Sequence, residues 1–241
     1  AQAAEGSGKT AEAFEALQRA LALDGSRQGE IKPLIYKAWA KVDAKSKKEF
    51  IEKRSHKVEE ENVADGKSLR IRVVLPPVLS WQLASDKTRA AWGLTQSKLA
   101  VADGNGAIWW GATIMKKGFT YNIGTKTGVD FTSYGMAAEG SYESLLSVYE
   151  DIKDKKPPKK AQFNWGGKKY NGMEASIAGL HAQAKVVVTF KDYWFKSPCG
   201  NGVEIACIMI GDRLKEYEQD LTFILDNLSM EDYKSHRQSP N

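Results

Sequence analysis

The sequence contains no long apolar run. No stretch approaches the roughly 18 uninterrupted apolar residues that a membrane-spanning helix needs, so no transmembrane segment is expected. The chain also begins at Ala1 without a methionine, which fits a cleaved secretory precursor or a chain trimmed of its export signal. We therefore expect a periplasmic or secreted protein whose signal peptide has been removed.

Cysteine is scarce, with two residues in 241, Cys199 and Cys207. They flank a Gly-Asn-Gly sequence at 200–202 and an apolar run at 203–206. A turn at 200–202 would let the two sulfurs form a disulfide in an oxidising compartment. Two reduced thiols, one of them buried in a strand, are the alternative, and the spacing does not decide between them.

Signatures of catalysis and of metal binding are also missing. His56, His181 and His236 lie far apart, and none has another histidine or a cysteine at metal-ligand spacing. No Gly-x-Ser-x-Gly elbow nominates a nucleophile. Residues 6–10 look like part of a phosphate-binding loop, but Ala3 stands where that motif requires glycine. We expect no metal, no cofactor and no catalytic residue, and a hydrolase with a scattered site stays open as an alternative.

The composition is that of a chain with a packed core. Hydrophobic residues make up 42% of the sequence, charged residues make up 27%, and there are seven tryptophans, which argues against disorder along the whole chain. The net charge of +5 suits weak attraction to anionic surfaces without requiring a nucleic-acid partner.

The first 64 residues are predicted to form a helical segment. Phe14, Leu17 and Leu21 recur at helical spacing, and a second helix is expected to begin near Pro33, where proline is tolerated in a first turn. Ser46 and Glu49 match a capping box for a third helix. The charged run 52–61 is expected to extend that helix into solvent.

Beyond residue 65 the apolar period changes to that of strands. Alternation and glycine turns predict strands at 69–75, 98–102, 107–115, 119–123, 161–165, 185–195 and 203–210. Helical spacing returns at 141–153 and 213–228, with a solvated loop at 155–160 between the two. The predicted fold class is α+β: an antiparallel sheet packed by helices at 65–232, after the helical segment 1–64 and before a flexible tail at 233–241.

Two phrases carry a resemblance to a known family. Residues 211–230, GDRLKEYEQDLTFILDNLSM, run from a strand end into a helix that closes on Ile-Leu-Asp-Asn-Leu, and residues 171–175 form a short glycine-containing phrase. Over 68–230 the chain resembles the PsbP-like fold family of exported proteins and lipoproteins. The resemblance implies a binding or assembly role and transfers no catalytic residue. The segment before residue 65 and the basic stretch 153–169 depart from the family pattern.

A basic stretch is the main candidate site. Its residues are Lys155, Lys156, Lys159, Lys160, Lys168 and Lys169, which lie with Lys153 around Phe163 and Trp165. Positive charge beside flat rings can hold phosphate, nucleic acid or anionic lipid headgroups. The alternative is a solvated lysine loop whose rings point into the core, and the small total charge favours it.

Two aromatic clusters on predicted strands offer further candidates. Successive rings in Trp109-Trp110 and in residues 193–195 should face opposite sides of a sheet. One ring of each set, Trp110 or Trp194, is then a candidate anchor for a ligand or a protein contact. Burial beneath a flanking helix is the alternative that an α+β fold favours.

Together these patterns predict a non-enzymatic exported binding or accessory protein that acts through protein–protein contacts. Another protein is the expected partner, an anionic surface that binds the lysine cluster is the alternative, and nucleic acid is not expected.

Overall fold

The computed structural model describes residues 10–62, 67–91, 97, 99–104, 108–115, 120–121, 129–130, 134–197, 202–211 and 214–233. The helices are α1 (Thr10–Leu23), α2 (Gln28–Lys41), α3 (Ala44–Arg54), α4 (Asp86–Ala91), α5 (Tyr134–Leu146) and α6 (Leu214–Asp226). The strands are β1 (Ser55–Asn62), β2 (Lys67–Val74), β3 (Trp81–Leu83), β4 (Leu99–Asp103), β5 (Ile108–Met115), β6 (Thr120–Tyr121), β7 (Val129–Asp130), β8 (Tyr149–Trp165), β9 (Lys168–His181), β10 (Val187–Lys196), β11 (Gly202–Ile210) and β12 (Ser229–Tyr233).

The N-terminal helices are present, but two of their predicted starts were wrong. Helix α2 begins at Gln28, so Pro33 lies in its second turn rather than its first. Helix α3 is capped by Asp43, whose carboxylate accepts hydrogen bonds from the backbone N–H groups of Lys45 and Ser46 at 2.9 Å. Aspartate is as effective a cap as serine, and here it precedes the predicted capping box by three residues.

The charged run after α3 is a strand, which corrects the predicted helical extension. Helix α3 ends at Arg54, and β1 pairs antiparallel with β2 along its whole length. Arg70 Nε donates to Glu59 Oε1 at 2.8 Å across this pair, so the acidic strand faces a basic one. Strand β12 pairs with the other side of β2, which makes a three-stranded sheet in the order β1-β2-β12.

The main sheet has seven strands in the order β3-β4-β5-β11-β10-β9-β8. Each neighbouring pair is antiparallel, which confirms the predicted α+β class. The predicted strands near 69–75, 98–102, 107–115, 185–195 and 203–210 are all found. The predicted strand at 119–123 corresponds to β6, which pairs with β7 in a separate two-stranded sheet.

The region from 141 to 181 differs most from the prediction. Helix α5 begins at Tyr134 instead of 141 and ends at Leu146 instead of 153. Residues 155–160 are part of strand β8 instead of a loop. Pro157 and Pro158 fall at a register shift between Lys156 and Lys159, because proline is tolerated in edge strands and at bulges. Strand β9 was not predicted.

Each face of the main sheet carries its own core. One face packs against α1, α2, α6 and the three-stranded sheet, in a cluster that includes Phe14, Ile35, Ile71, Phe195 and Ile224. The opposite face lies under α5 and carries a second cluster. Its buried members are Ala138, Tyr142, Tyr149, Ala175, Ile177, Val188, Phe190, Trp194 and Ile208. Side chains that alternate along β10 and β11 supply both clusters.

The N-terminal segment contributes to the first of these cores, and its strand β1 pairs with β2 across residue 65. The division at 64/65 stays a prediction. In the tail, Tyr233 closes β12, and 234–241 lie outside the described residues. Within the described ranges, no helix has both the length and the apolar character needed to cross a membrane.

Candidate functional site

The candidate site is the basic hairpin, residues 155–169, formed by the distal part of β8, a tight turn and the start of β9. Gly166 and Gly167 form a two-residue turn with φ of 55° and 73°, values that suit a type I′ hairpin and favour glycine. Strand β8 is the last strand of the sheet order, so among the described strands it has a partner on one side only. The hairpin therefore presents an open sheet edge.

All six lysines of the basic hairpin are exposed. Lys156 Nζ lies 3.8 Å from Asp154 Oδ2, and Lys159 Nζ lies 3.1 Å from Glu174 Oε1. Lys168 Nζ donates to the backbone carbonyl of Met230 at 3.2 Å. Exposed ion pairs of this kind contribute only about 0–1 kcal/mol, so these ammonium groups can be redirected to a partner at little cost.

The two aromatic residues of the basic hairpin are buried, whereas its lysines are exposed. Phe163 and Trp165 are stacked with centroids 4.5 Å apart and planes 7° apart, and both meet the Tyr193 ring edge-on. Each is buried in the first core. The sheet thus places the charge in solvent and the rings in the interior, as in the solvated-lysine alternative, and Trp165 offers no exposed ring.

The structure describes the side chain of one of the two candidate tryptophan anchors. Trp194 is 1% exposed and belongs to the core under α5, which matches the alternative of burial beneath a helix. Trp110 lies on β5 in register with Cys207, and its side chain lies outside the described part of the chain. Its role as an anchor stays a prediction.

Of the two cysteines, the structure describes Cys207 only. Cys207 is fully buried on β11, and burial together with the nearby Asp192 raises the pKa of its thiol to about 12. Cys199 lies outside the described residues, so the disulfide stays a prediction.

The histidines do not gather into a site. His181 Nδ1 accepts a hydrogen bond from the Ala184 N–H at 3.2 Å, and its ring meets Tyr149 edge-on. His56 lies on β1, where burial and the charge of Arg54 lower its pKa. His236 is outside the described residues. Over the described ranges, no three His, Cys, Asp or Glu side chains are grouped so that they could hold a metal ion.

A buried ionic network was missed by the sequence analysis. Lys32 Nζ on α2 donates to Asp220 Oδ2 on α6 at 2.6 Å and lies 4.0 Å from Asp103 Oδ2 on β4. Asp220 also accepts from Tyr36 Oη at 2.5 Å and from Trp81 Nε1 at 3.1 Å. The network ties an N-terminal helix to the C-terminal helix and to the sheet.

The electrostatics of this network follow from its burial. The side chains of Lys32, Asp103 and Asp220 are 3%, 0% and 0% exposed, and the Lys32 ammonium lies 3.9 Å from the centroid of the Tyr217 ring. Burial raises the pKa of Asp220, while Lys32 and the hydrogen bonds from Tyr36 and Trp81 oppose the rise. Every oxygen of Asp220 is hydrogen-bonded, which is what a buried carboxylate requires.

A second feature that was also missed is an acid pair under α5, in which Asp192 is buried and Glu204 is half-buried. Asp192 on β10 and Glu204 on β11 are diagonal neighbours, because Asp192 is in register with Ala206 and Glu204 with Trp194. Burial raises the pKa of Asp192 well above its ordinary range, and Glu204 adds to that rise. Burial also raises the pKa of Glu204, against hydrogen bonds from Ser141 and Trp194. Period-2 alternation places both acids on the inward face, but it does not indicate that they meet.

Comparisons with known proteins do not assign this chain to a family. No family model matches it, and no curated protein matches it, so the PsbP-like resemblance stays a prediction. Among solved structures it is similar to LpqN of Mycobacterium tuberculosis, which is described as involved in cell envelope biogenesis, with a TM-score of 0.43, 11% identity, and coverage of 76% of this chain and 95% of that one. A Bacteroides thetaiotaomicron structure gives a TM-score of 0.32 and 12% identity, with coverage of 70% of this chain and 47% of the other.

Proposed function

We propose that this protein is a non-enzymatic binding protein that docks an acidic surface of a partner protein on the basic hairpin. The observation that carries the proposal is the distribution of charge. Residues 155–169 contain six lysines and no acidic residue, a charge of +6, while the whole chain carries +5, so the rest of the chain sums to −1. The net positive charge of this protein is therefore accounted for by one element.

The geometry makes this charge available to a partner. The lysines lie along an exposed sheet edge whose backbone is fixed by pairing with β9. Because the strand is fixed, binding orders side chains and leaves the backbone unchanged, which lowers the entropic cost of association. Complementary charge also speeds the encounter with an acidic partner.

A protein partner fits this surface better than nucleic acid or a membrane does. Single-stranded nucleic acid is held by exposed aromatic rings as well as by charge, and Phe163 and Trp165 are buried. Acidic side chains, Asp154 and Glu174, border the lysines, so the surface is patterned. A protein can match such a pattern, whereas a uniformly anionic bilayer is repelled by its acidic border. The predicted periplasmic or secreted location is part of this proposal.

Binding to poly-L-glutamate at low ionic strength tests the proposal. The hairpin variant replaces Lys155, Lys156, Lys159 and Lys160 by glutamine. We expect its Kd, measured by fluorescence anisotropy, to rise by at least about tenfold, because four exposed contacts of a few tenths of a kcal/mol each are lost.

A matched helix variant is the control. It replaces Lys37, Lys45, Lys48 and Lys53, exposed lysines of α2 and α3, by glutamine, so that both variants lose the same net charge. Its Kd should change by less than about threefold. Equal losses in the two variants would show that overall charge alone drives binding. Tighter binding of the wild type to phosphatidylglycerol vesicles or duplex DNA than to polyglutamate would contradict a protein partner.

A further inference from the structure

Alternation along β10 and β11 places two carboxyl groups, Asp192 and Glu204, on the sheet face under α5. Among the described residues the one fully buried basic side chain is Lys32, which pairs with Asp220 in the other core. Asp192 is 3% exposed. Its Oδ1 atom is buried and has no hydrogen-bond partner in the described part of the protein. Leaving an ionised oxygen in this state would cost several kcal/mol, so the arrangement calls for a positive partner at that oxygen.

The surroundings of Glu204 differ from those of Asp192. Ser141 Oγ on α5 donates to Glu204 Oε1 at 3.2 Å, and the Trp194 side chain also hydrogen-bonds Glu204. These donors favour the ionised form of Glu204. The register partners of Asp192 on its two neighbouring strands are Ala175 and Ala206, which supply no donor. The proton therefore belongs on Asp192, beside an ionised Glu204.

Helix α5 covers this pair directly. It buries Ala138 and Tyr142 against the sheet, and Ser141 joins it to Glu204. We propose that Asp192 and Glu204 form a proton-binding site beneath α5, and that α5 stays packed on the sheet only while this site holds its proton. Loss of the proton leaves two like charges side by side, the buried Asp192 and the half-buried Glu204, and moving α5 away admits the water that solvates them.

The other groups near the pair do not replace the proton. Tyr149 on β8 donates to the Val188 carbonyl at 3.3 Å. Burial raises the pKa of Tyr149, and the charge of Asp192 adds to that rise. Tyr142 faces the same core from α5, and burial raises its pKa too. On β9 the register partner is Ala175, and on β5 the residues in register with Ala206 and Glu204 are Gly111 and Thr113, neither titratable. Lys191, Tyr193 and Cys207 alternate onto the opposite face.

The direction of the pH effect follows from proton linkage. With α5 packed, the pair binds its proton more tightly than it does when α5 is open and the carboxyls are in water, because burial raises both pKa values. The packed state therefore holds more protons, so a rise in pH favours opening. The opening equilibrium should grow by up to about tenfold per pH unit, from the ordinary carboxyl range near pH 4 up to the raised pKa of the closed state.

Hydrogen exchange measures this opening. Protection factors, which correct for the intrinsic pH dependence of exchange, are measured in α5 and α6 from pH 5 to pH 9. In the wild type we expect α5 protection to fall at least tenfold over this range while α6 protection stays within twofold. Asp192→Asn, which has nearly the same shape and no proton to lose, should show a flat α5 profile. Glu204→Gln should show a diminished pH dependence, because Asp192 stays buried but loses the charge that adds to its raised pKa.

Glu143→Gln is the control, since Glu143 is an exposed acid on the same helix, and it should keep the wild-type profile. A flat wild-type profile, an undiminished pH dependence in either Asp192→Asn or Glu204→Gln, or a parallel loss in α6 would overturn the proposal. Calcium or magnesium that restores α5 protection in the wild type but not in these two variants would also overturn it, because the pair would then be a cation site.

Discussion

At the residue scale, the buried ionic network removes three charged side chains from solvent. Lys32 is a cation with two carboxylates beside it, Asp220 at 2.6 Å and Asp103 at 4.0 Å. Desolvating such a set costs free energy that the ion pairs only partly return, so the network adds little net stability when it is complete. It is costly to break, because the remaining charges stay buried without a partner.

Lys32→Met should therefore lower the free energy of unfolding by about 3–5 kcal/mol, because Asp220 and Asp103 are left as uncompensated buried charges. Urea denaturation followed by tryptophan fluorescence measures the change. Lys37 is an exposed lysine on the same helix, so Lys37→Met serves as the control. It should change the free energy of unfolding by no more than about 0.5 kcal/mol.

The double variant Lys32→Met with Asp220→Leu separates lost pairing from lost packing. Replacing a buried ion pair by apolar residues of similar volume is close to neutral, so we expect at least half of the lost stability to return. A double variant as unstable as Lys32→Met would contradict the view that the uncompensated charge of Asp220 causes the loss.

The sequence indicates this network in part, because both charged residues fall on apolar helix faces. Lys32 falls three residues before Ile35 on the buried face of α2, and Asp220 falls beside Leu221 on the buried face of α6. A charged residue on an apolar helix face indicates a buried partner. The identity of that partner could not be predicted, because Lys32 and Asp220 are 188 positions apart.

At the element scale, the basic hairpin is held at its tip. A side chain at Gly166 would place its Cβ 1.9 Å from the carbonyl oxygen of Leu228, so the turn packs directly against the segment between α6 and β12. Lys168 reaches the carbonyl of Met230 from the same turn. These contacts fix the free end of the hairpin and hold its lysines in place.

Gly166→Ala should lower the free energy of unfolding by about 2–4 kcal/mol, since it combines a left-handed backbone with a forced displacement of packed backbone. Gly167→Ala is the comparison. Its φ of 73° carries the same backbone strain, but a Cβ there meets nothing within 4 Å, so about 1–2 kcal/mol is expected. Chemical denaturation at one pH measures both, and equal losses would show that the contact with Leu228 does not hold the tip.

Strands β2, β10 and β11 were predicted from the sequence, whereas the charged edge strands and the inner strand β9 were not. Strands β2, β10 and β11 show clear alternation because one or both of their faces are buried. Strand β1 and the first half of β8 are charged, so their composition favours an exposed helix or a loop. They are strands because they pair with β2 and β9, and this pairing cannot be read from local sequence.

At the scale of the whole molecule, the main sheet has a core on each face, and the net positive charge of the chain lies on one hairpin. The α+β class and the antiparallel sheet could be predicted, since both follow from local periodicity. The covering of both faces could not, because it depends on which helix packs on which face. The role of the lysines could not be settled from local sequence either, because it depends on whether the rings of Phe163 and Trp165 are exposed or buried.

The salt dependence of polyglutamate binding tests the central claim most directly. The Kd is measured from about 50 to 500 mM NaCl for the wild type, the hairpin variant and the helix variant, over a range in which the Debye length falls from roughly 14 to 4 Å. We predict a steep weakening for the wild type and the helix variant, and a markedly flatter dependence for the hairpin variant. Equal slopes for the hairpin and helix variants would contradict the assignment of binding to residues 155–169.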